Sequence, residues 1–212
     1  MLQGDSMNEQ HIVNKINNIF IWTTRLAFLN LLWLVFMIFG LVVFGVFPAT
    51  VASLSVCMYW INGKTDLPIF NTFKREFLHN FYISNGAGWL LLLAGSILFI
   101  NFQHFDKISG VFYFFSIFSF YFVIMIYIAL WIWVFPLMSH YNNKLTKHFF
   151  NSLILGFGKI KITLFIILIL FLVIYISLSL PGMIPFFSVS IGSYVWAWFS
   201  LKVFNEMDEE NP

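Results

Sequence analysis

From Leu26 to Phe47 no side chain carries a charge. As a helix rising about 1.5 Å per residue, this run would be roughly 33 Å long, enough to cross a hydrocarbon core of about 30 Å. Apolar runs recur at 83–102, 111–138, 162–180 and 186–203. Their repetition leaves few folds open. A spanning backbone must satisfy its own hydrogen bonds, and α-helices do this within each segment. Composition agrees: 9% of the 212 residues are charged, against about 25% in soluble domains. The expected fold is all-α: one polytopic transmembrane helix bundle over 1–212, with a polar segment at 1–17 that lacks strong periodicity and an acidic tail at 204–212. The first run is longer than the apolar region of a cleavable signal, so it is expected to stay in the protein.

The hardest stretch to place is 44–81. Pro48 marks an end or a kink of the first span, and Gly45 and Pro48 are the candidate structural turn there. Residues 49–61 are apolar but only about 20 Å long as a helix, so they either return across the bilayer or stop half way. Asn62-Gly63-Lys64 is a turn signal. Residues 69–82 then read as an amphipathic helix. Phe70, Phe73, Phe77 and Phe81 fall on one side at 100° per residue, with Arg75, Glu76 and His79 away from them and Lys74 beside them. Such a helix suits the membrane interface. A second interfacial helix is expected near 144–157, where Leu145, Phe149, Leu153 and Phe157 repeat every four residues. Pro181, Gly182 and Pro185 mark a tight turn before the last span.

Orientation follows from Lys and Arg. If 49–61 crosses, there are six segments. Lys15, Arg25, Lys64, Lys74, Arg75, Lys144, Lys147, Lys159, Lys161 and Lys202 then share one side, with Lys107 alone opposite. That side is expected to be the cytoplasm, with both termini inside. If 49–61 does not cross, five spans remain, and Lys15 and Arg25 fall on the other side.

Chemistry is sparse. No Asp, Glu, Lys or Arg lies deep within a span, which lowers the case for an ion-coupled transporter. The histidines, His11, His79, His104, His140 and His148, form no metal-binding pair. No serine has the context of a nucleophile, and the single Cys57 excludes an intrachain disulfide. No catalytic, cofactor or metal residues are therefore assigned, and no basic block suits nucleic acid. The aromatic run 112–122 reads as lipid contact, and Trp131, Trp133, Trp196 and Trp198 as interface anchors. Val46-Phe47-Pro48 recurs as Val134-Phe135-Pro136, a faint sign of internal duplication. The surface expected to dock a partner is Phe70, Phe73, Lys74, Arg75, Phe77 and Phe81.

Several blocks resemble one family. They are Asn30-Leu31-Leu32-Trp33, Gly40 through Thr50, Trp60 and Thr72-Phe73-Lys74-Arg75-Glu76-Phe77. Later come Phe135-Pro136-Leu137, His140-Tyr141 and Leu180 through Phe187. The chain is similar along nearly its whole length to the YesL-like bacterial membrane proteins. Members are often encoded near carbohydrate-uptake ABC transporters and sensor–regulator pairs. The resemblance implies a non-enzymatic accessory protein associated with an ABC transporter permease or its sensor. The alternative is a small transporter or channel for a neutral solute. The resemblance implies no site residues.

Overall fold

The computed structural model describes residues 2–104 and 111–210, with side chains over 13–104 and 114–209. The loop residues Asp106 and Lys107 lie outside the described residues. Among the described residues, eight α-helices follow in order: α1 (Leu2–Phe39), α2 (Val46–Ile61), α3 (Ile69–His79), α4 (Phe81–Phe102), α5 (Val111–His140), α6 (Leu145–Gly158), α7 (Ile160–Ser179) and α8 (Val189–Glu210). A short 3₁₀ turn and a π turn fill 181–188. Among the described residues, five helices are long and apolar enough to cross a membrane, and α2 is a shorter apolar one.

α1 already begins at Leu2, so the polar segment continues the helix instead of forming an irregular start. Once an apolar span is helical, each added residue gains a hydrogen bond without a new nucleus. The acidic tail is likewise the last turns of α8.

The turn that ends the first span falls earlier than Pro48. α1 stops at Phe39, and residues 40–45 reverse the chain. Pro48 is the third residue of α2, where its missing N–H would have had no helical partner anyway. Leu41 and Val42 adopt φ of 55° and 63°, a left-handed conformation costly for a β-branched side chain. Two contacts hold it. Gly40 and Gly45 bring their backbones together, and Asn85 donates from Nδ2 to the Phe44 carbonyl at 2.9 Å.

α2 is the axis of the bundle. Twelve of its sixteen residues are buried, and α1, α3, α4, α5 and α8 pack around it. An all-round apolar helix needs cover on every side. It spans only about 24 Å and runs back along α1 as far as Trp22. Trp22 meets Trp60 at 5.8 Å, and Trp33 Nε1 donates to Thr50 Oγ1 at 3.2 Å. α2 runs parallel to α5, with Phe47 stacked on Phe135 and Ser55 Oγ donating to the Ser139 carbonyl. α4 is antiparallel to α5 through Gly95–Tyr127 and Phe102–Phe120. α8 is parallel to α5, with Trp196 Nε1 donating to the Ile132 carbonyl. α7 is antiparallel to α8 through Phe165–Phe199. Six legs therefore alternate in direction, and α1 and α8 place their outer ends at the same end of the bundle.

The architecture repeats. A helix, a loop, a short amphipathic helix, a one-residue break (Asn80, then Lys159) and a long apolar helix occur twice. The Val-Phe-Pro echo does not mark equivalent places in this repeat: Pro48 begins α2, whereas Pro136 lies near the end of α5. The α6 stripe also differs from expectation. His148, Ser152, Leu155 and Gly156 are buried, whereas Leu145, Phe149 and Leu153 are half-buried and Phe157 is exposed. Gly156 lies directly on Ala129 of α5, and small residues allow that approach where phenylalanines would hold the helices apart. Trp133 is not an interface anchor. It is 0% exposed, and its Nε1 donates to Thr163 Oγ1 at 2.9 Å. Phe114, Phe115, Phe118, Tyr121 and Phe122 of the aromatic run are outward and apolar, as lipid contact requires.

Candidate functional site

α3 is amphipathic because its four-residue spacing of phenylalanines sets an aromatic side against a charged one. The aromatic side is consumed within the protein. Phe36 of α1 inserts among Phe70, Phe73 and Phe77, at ring distances of 6.1, 5.1 and 5.0 Å. Phe73 and Phe77 are buried, and Phe70 stays half-open. Phe81 is half-buried against Phe77 and Tyr82. Lys74 and Arg75 are exposed. The six residues expected to form one docking face thus divide: Phe73 and Phe77 fix α3 to α1, and Phe70, Lys74 and Arg75 remain outward.

The charged side of α3 instead borders a polar cleft of about 300 Å³. Tyr59 ends one wall, Arg75, Glu76, His79 and Asn80 form the second, and the last turn of α5 with Tyr141 and Asn142 closes the third. The walls meet because α3 breaks at Asn80. There the Asn80 side chain donates from Nδ2 to the Glu76 carbonyl at 3.1 Å, and Ser84 Oγ donates to the Asn80 carbonyl at 2.7 Å. Glu76 Oε1 accepts from Tyr59 Oη at 3.2 Å and from Arg75 Nε and Nη2 at 3.2 and 2.9 Å. Those hydrogen bonds to Glu76 raise the Arg75 pKa further above its ordinary value. Arg75 and Lys64 both lie 5.9 Å from the Tyr59 ring, within cation–π range.

The acidic end of α8 closes on the same end of the bundle. Tyr141 Oη donates to Asp208 Oδ1 at 2.8 Å, and His140 Nε2 lies 3.6 Å from Asp208 Oδ2. The His140 ring stacks on Phe204 at 5.1 Å. Burial, then the hydrogen bond to Asp208, pushes the Tyr141 hydroxyl pKa up. Lys159 Nζ donates to Glu206 Oε2 at 2.8 Å and holds that carboxyl below its usual range. Among the described residues, no three His, Cys, Asp or Glu side chains gather as metal ligands.

The turn residues have unequal parts. Gly45 is a backbone contact, and Pro185 offers its carbonyl to Asn30 Nδ2 at 2.7 Å. Pro181 and Gly182 are exposed. Sequence reasoning missed Asn30, Tyr59 and Asn142. Asn30 had a signal: it is the lone amide within 26–47, and an amide there must find partners. Tyr59 and Asn142 had none, since only the tertiary structure joins the ends of α2, α3 and α5.

The family model described as "Protein of unknown function, DUF624" matches residues 26–102. "Uncharacterized protein YteU" of Bacillus subtilis (strain 168) is 36% identical over 178 residues, covering 82% of this chain and 78% of that protein. "Uncharacterized protein YesL" of the same organism is 32% identical over 201 residues, covering 93% of each. "Uncharacterized protein YesV" is 31% identical over 191 residues, covering 88% of this chain and 90% of that protein. No solved structure matches. With its apolar helices and relatives that align over 78–93% of their length, the chain belongs to the YesL-like, DUF624 family and is a multi-pass membrane protein.

Proposed function

We propose that this chain is a non-enzymatic accessory protein of a bacterial plasma membrane, linked to carbohydrate or oligosaccharide uptake. It binds ABC transporter permease subunits, or their membrane sensor, through its helices. The carbohydrate link rests on the resemblance to YesL-like proteins. The observation that carries the binding reading is the arm made by residues 89–102 of α4, the turn at 103–104, and 114–128 of α5. Its side chains are mostly exposed, and hollows of about 780 and 500 Å³ lie along it. Gly95, Ser96, Asn101, Ser116, Ser119 and Tyr127 line them. Small and hydrogen-bonding residues are what membrane helices use to pack on one another. A solute pathway has less room, because α2 fills the axis of the bundle.

Tagged protein is expected to co-purify with permease subunits at near-stoichiometric ratio from mild detergent, and Ser119→Trp to reduce capture without changing the monomer's elution. Tagged protein emerging alone from membranes in which the permease is intact would sink the reading. Uptake of a sugar by proteoliposomes holding this chain alone would favour a transporter instead.

The basic end is proposed to face the cytoplasm, by the excess of Lys and Arg there. In a Cys57→Ala background, Lys64→Cys and Lys144→Cys are expected to resist an impermeant maleimide in intact cells and to react after permeabilisation. Labelling at position 64 from outside would overturn this orientation.

A further inference from the structure

We propose that the polar cleft between α2, α3 and α5 binds a phosphoryl group, presented by a phospholipid headgroup or by a soluble phosphate ester. The inference rests on donors that converge there without partners. Arg75 spends Nε and Nη2 on Glu76 and Tyr59, and its Nη1 makes no hydrogen bond among the described residues. The guanidinium is thereby held on Glu76 and Tyr59, with Nη1 left open. Guanidinium N–H groups are favoured donors to phosphate oxygens, and those of Nη1 remain for one here. His79 and Asn142 line the same cleft, and neither makes a side-chain hydrogen bond among the described residues. Glu76 is the carboxylate in the lining and is compensated by Arg75 at 2.9 Å. Lys64 adds a positive charge 5.9 Å from the Tyr59 ring, while Asp208 sets a second carboxylate against Tyr141 and His140 of the lining.

Position and size point the same way. The cleft opens where α2 and α5 end and α4 begins, beside the ends of apolar spans, which is the depth of lipid phosphates. Its volume of about 300 Å³ holds a headgroup and excludes acyl chains. In the last turn of α5 the Leu137 and Ser139 carbonyls are taken by the Tyr141 N–H and Ser55 Oγ, and those of Met138 and His140 have no further helical turn to bond. These suit the hydroxyl or ammonium part of a headgroup, with the phosphoryl oxygens on the Arg75 wall.

The test uses the full chain in dodecyl maltoside, titrated with short-chain phosphatidylglycerol and followed by native mass spectrometry. Diacylglycerol of the same chain length is the control without phosphate. Phosphatidylglycerol is expected to bind in preference to diacylglycerol. Arg75→Gln should weaken it about tenfold or more, and Lys15→Gln, remote on α1, should leave it unchanged. His79→Gln and Asn142→Ala should each weaken it by a smaller factor, and they carry the test if Arg75→Gln fails to fold. Competition by glycerol phosphate or inorganic phosphate identifies a soluble ester as the ligand; lipid binding without such competition identifies the headgroup. Equal binding of phosphatidylglycerol and diacylglycerol, or wild-type affinity in all three cleft variants, overturns the proposal.

Discussion

Replacing Asn30 with alanine is expected to lower the melting temperature of the detergent-solubilised protein by about 5–10 °C. Asn30 is 0% exposed, and its amide serves four backbone groups of the segment before α8. Nδ2 donates to the Ile184 and Pro185 carbonyls at 3.1 and 2.7 Å. Oδ1 accepts from the Val189 and Ser190 N–H groups at 2.9 and 3.1 Å. The π turn at Ile184–Ser188 interrupts the regular α-helical ladder before α8, and α1 supplies these groups with partners from more than 150 residues away in sequence. An orphaned buried group costs about 1–3 kcal/mol, while side-chain bonds between membrane helices average nearer 0.6 kcal/mol. Four together justify an estimate of about 3 kcal/mol. Asn30→Asp should rescue little: a carboxylate accepts from the two N–H groups but faces two carbonyls. Thermal unfolding followed by size-exclusion chromatography reads both variants. An unchanged melting temperature in Asn30→Ala would show that the turn holds itself.

Gly45→Ala is expected to destabilise by about 3 kcal/mol, at the upper end for an overpacked site, and to reduce the yield of folded protein. A Cβ at Gly45 would run into the Met37 carbonyl oxygen, with Met37 Cα and carbonyl carbon at 2.7 and 2.8 Å. These are backbone atoms, so no change of rotamer relieves them. The reversal at 40–45 already contains two left-handed residues and has little room to yield. Gly182→Ala is the contrasting case. A Cβ there meets nothing within 4 Å, and the melting temperature should stay within about 1 °C, since such a surface change is worth roughly ±0.5 kcal/mol at most. Two glycines flagged alike as turn residues therefore differ in effect, and equal melting temperatures for both variants would refute the packing argument.

That contrast shows where reading from sequence stops. A glycine beside a proline signals a turn, but the signal is local and carries no information about which backbone lies opposite. Gly45 and Gly182 look equivalent until α1 and α2 are packed. The aromatic stripe of α3 was legible from its spacing for the same reason that its target was not: periodicity fixes which residues share a side, and Phe36 lies outside the window. On α6 the four-residue rhythm of large side chains marked the helix but not its most buried residues, because close approach is set by what is small, Gly156 against Ala129. The cleft was invisible because Tyr59, Arg75 and Asn142 come from three helix ends.

The sequence alone determined the solvent and the architecture. Long uncharged runs must be helices in a bilayer, and the clustering of Lys and Arg marks one end of the bundle. Those properties depend on composition and spacing along the chain. Only the tertiary structure decided that 46–61 is the buried axis, that Phe73 and Phe77 close on Phe36, and that Asn30 ties α1 to the turn before α8. Each of these depends on which residues meet across distance in the chain, and a hydrophobic period is the same whether its apolar face meets lipid or another helix.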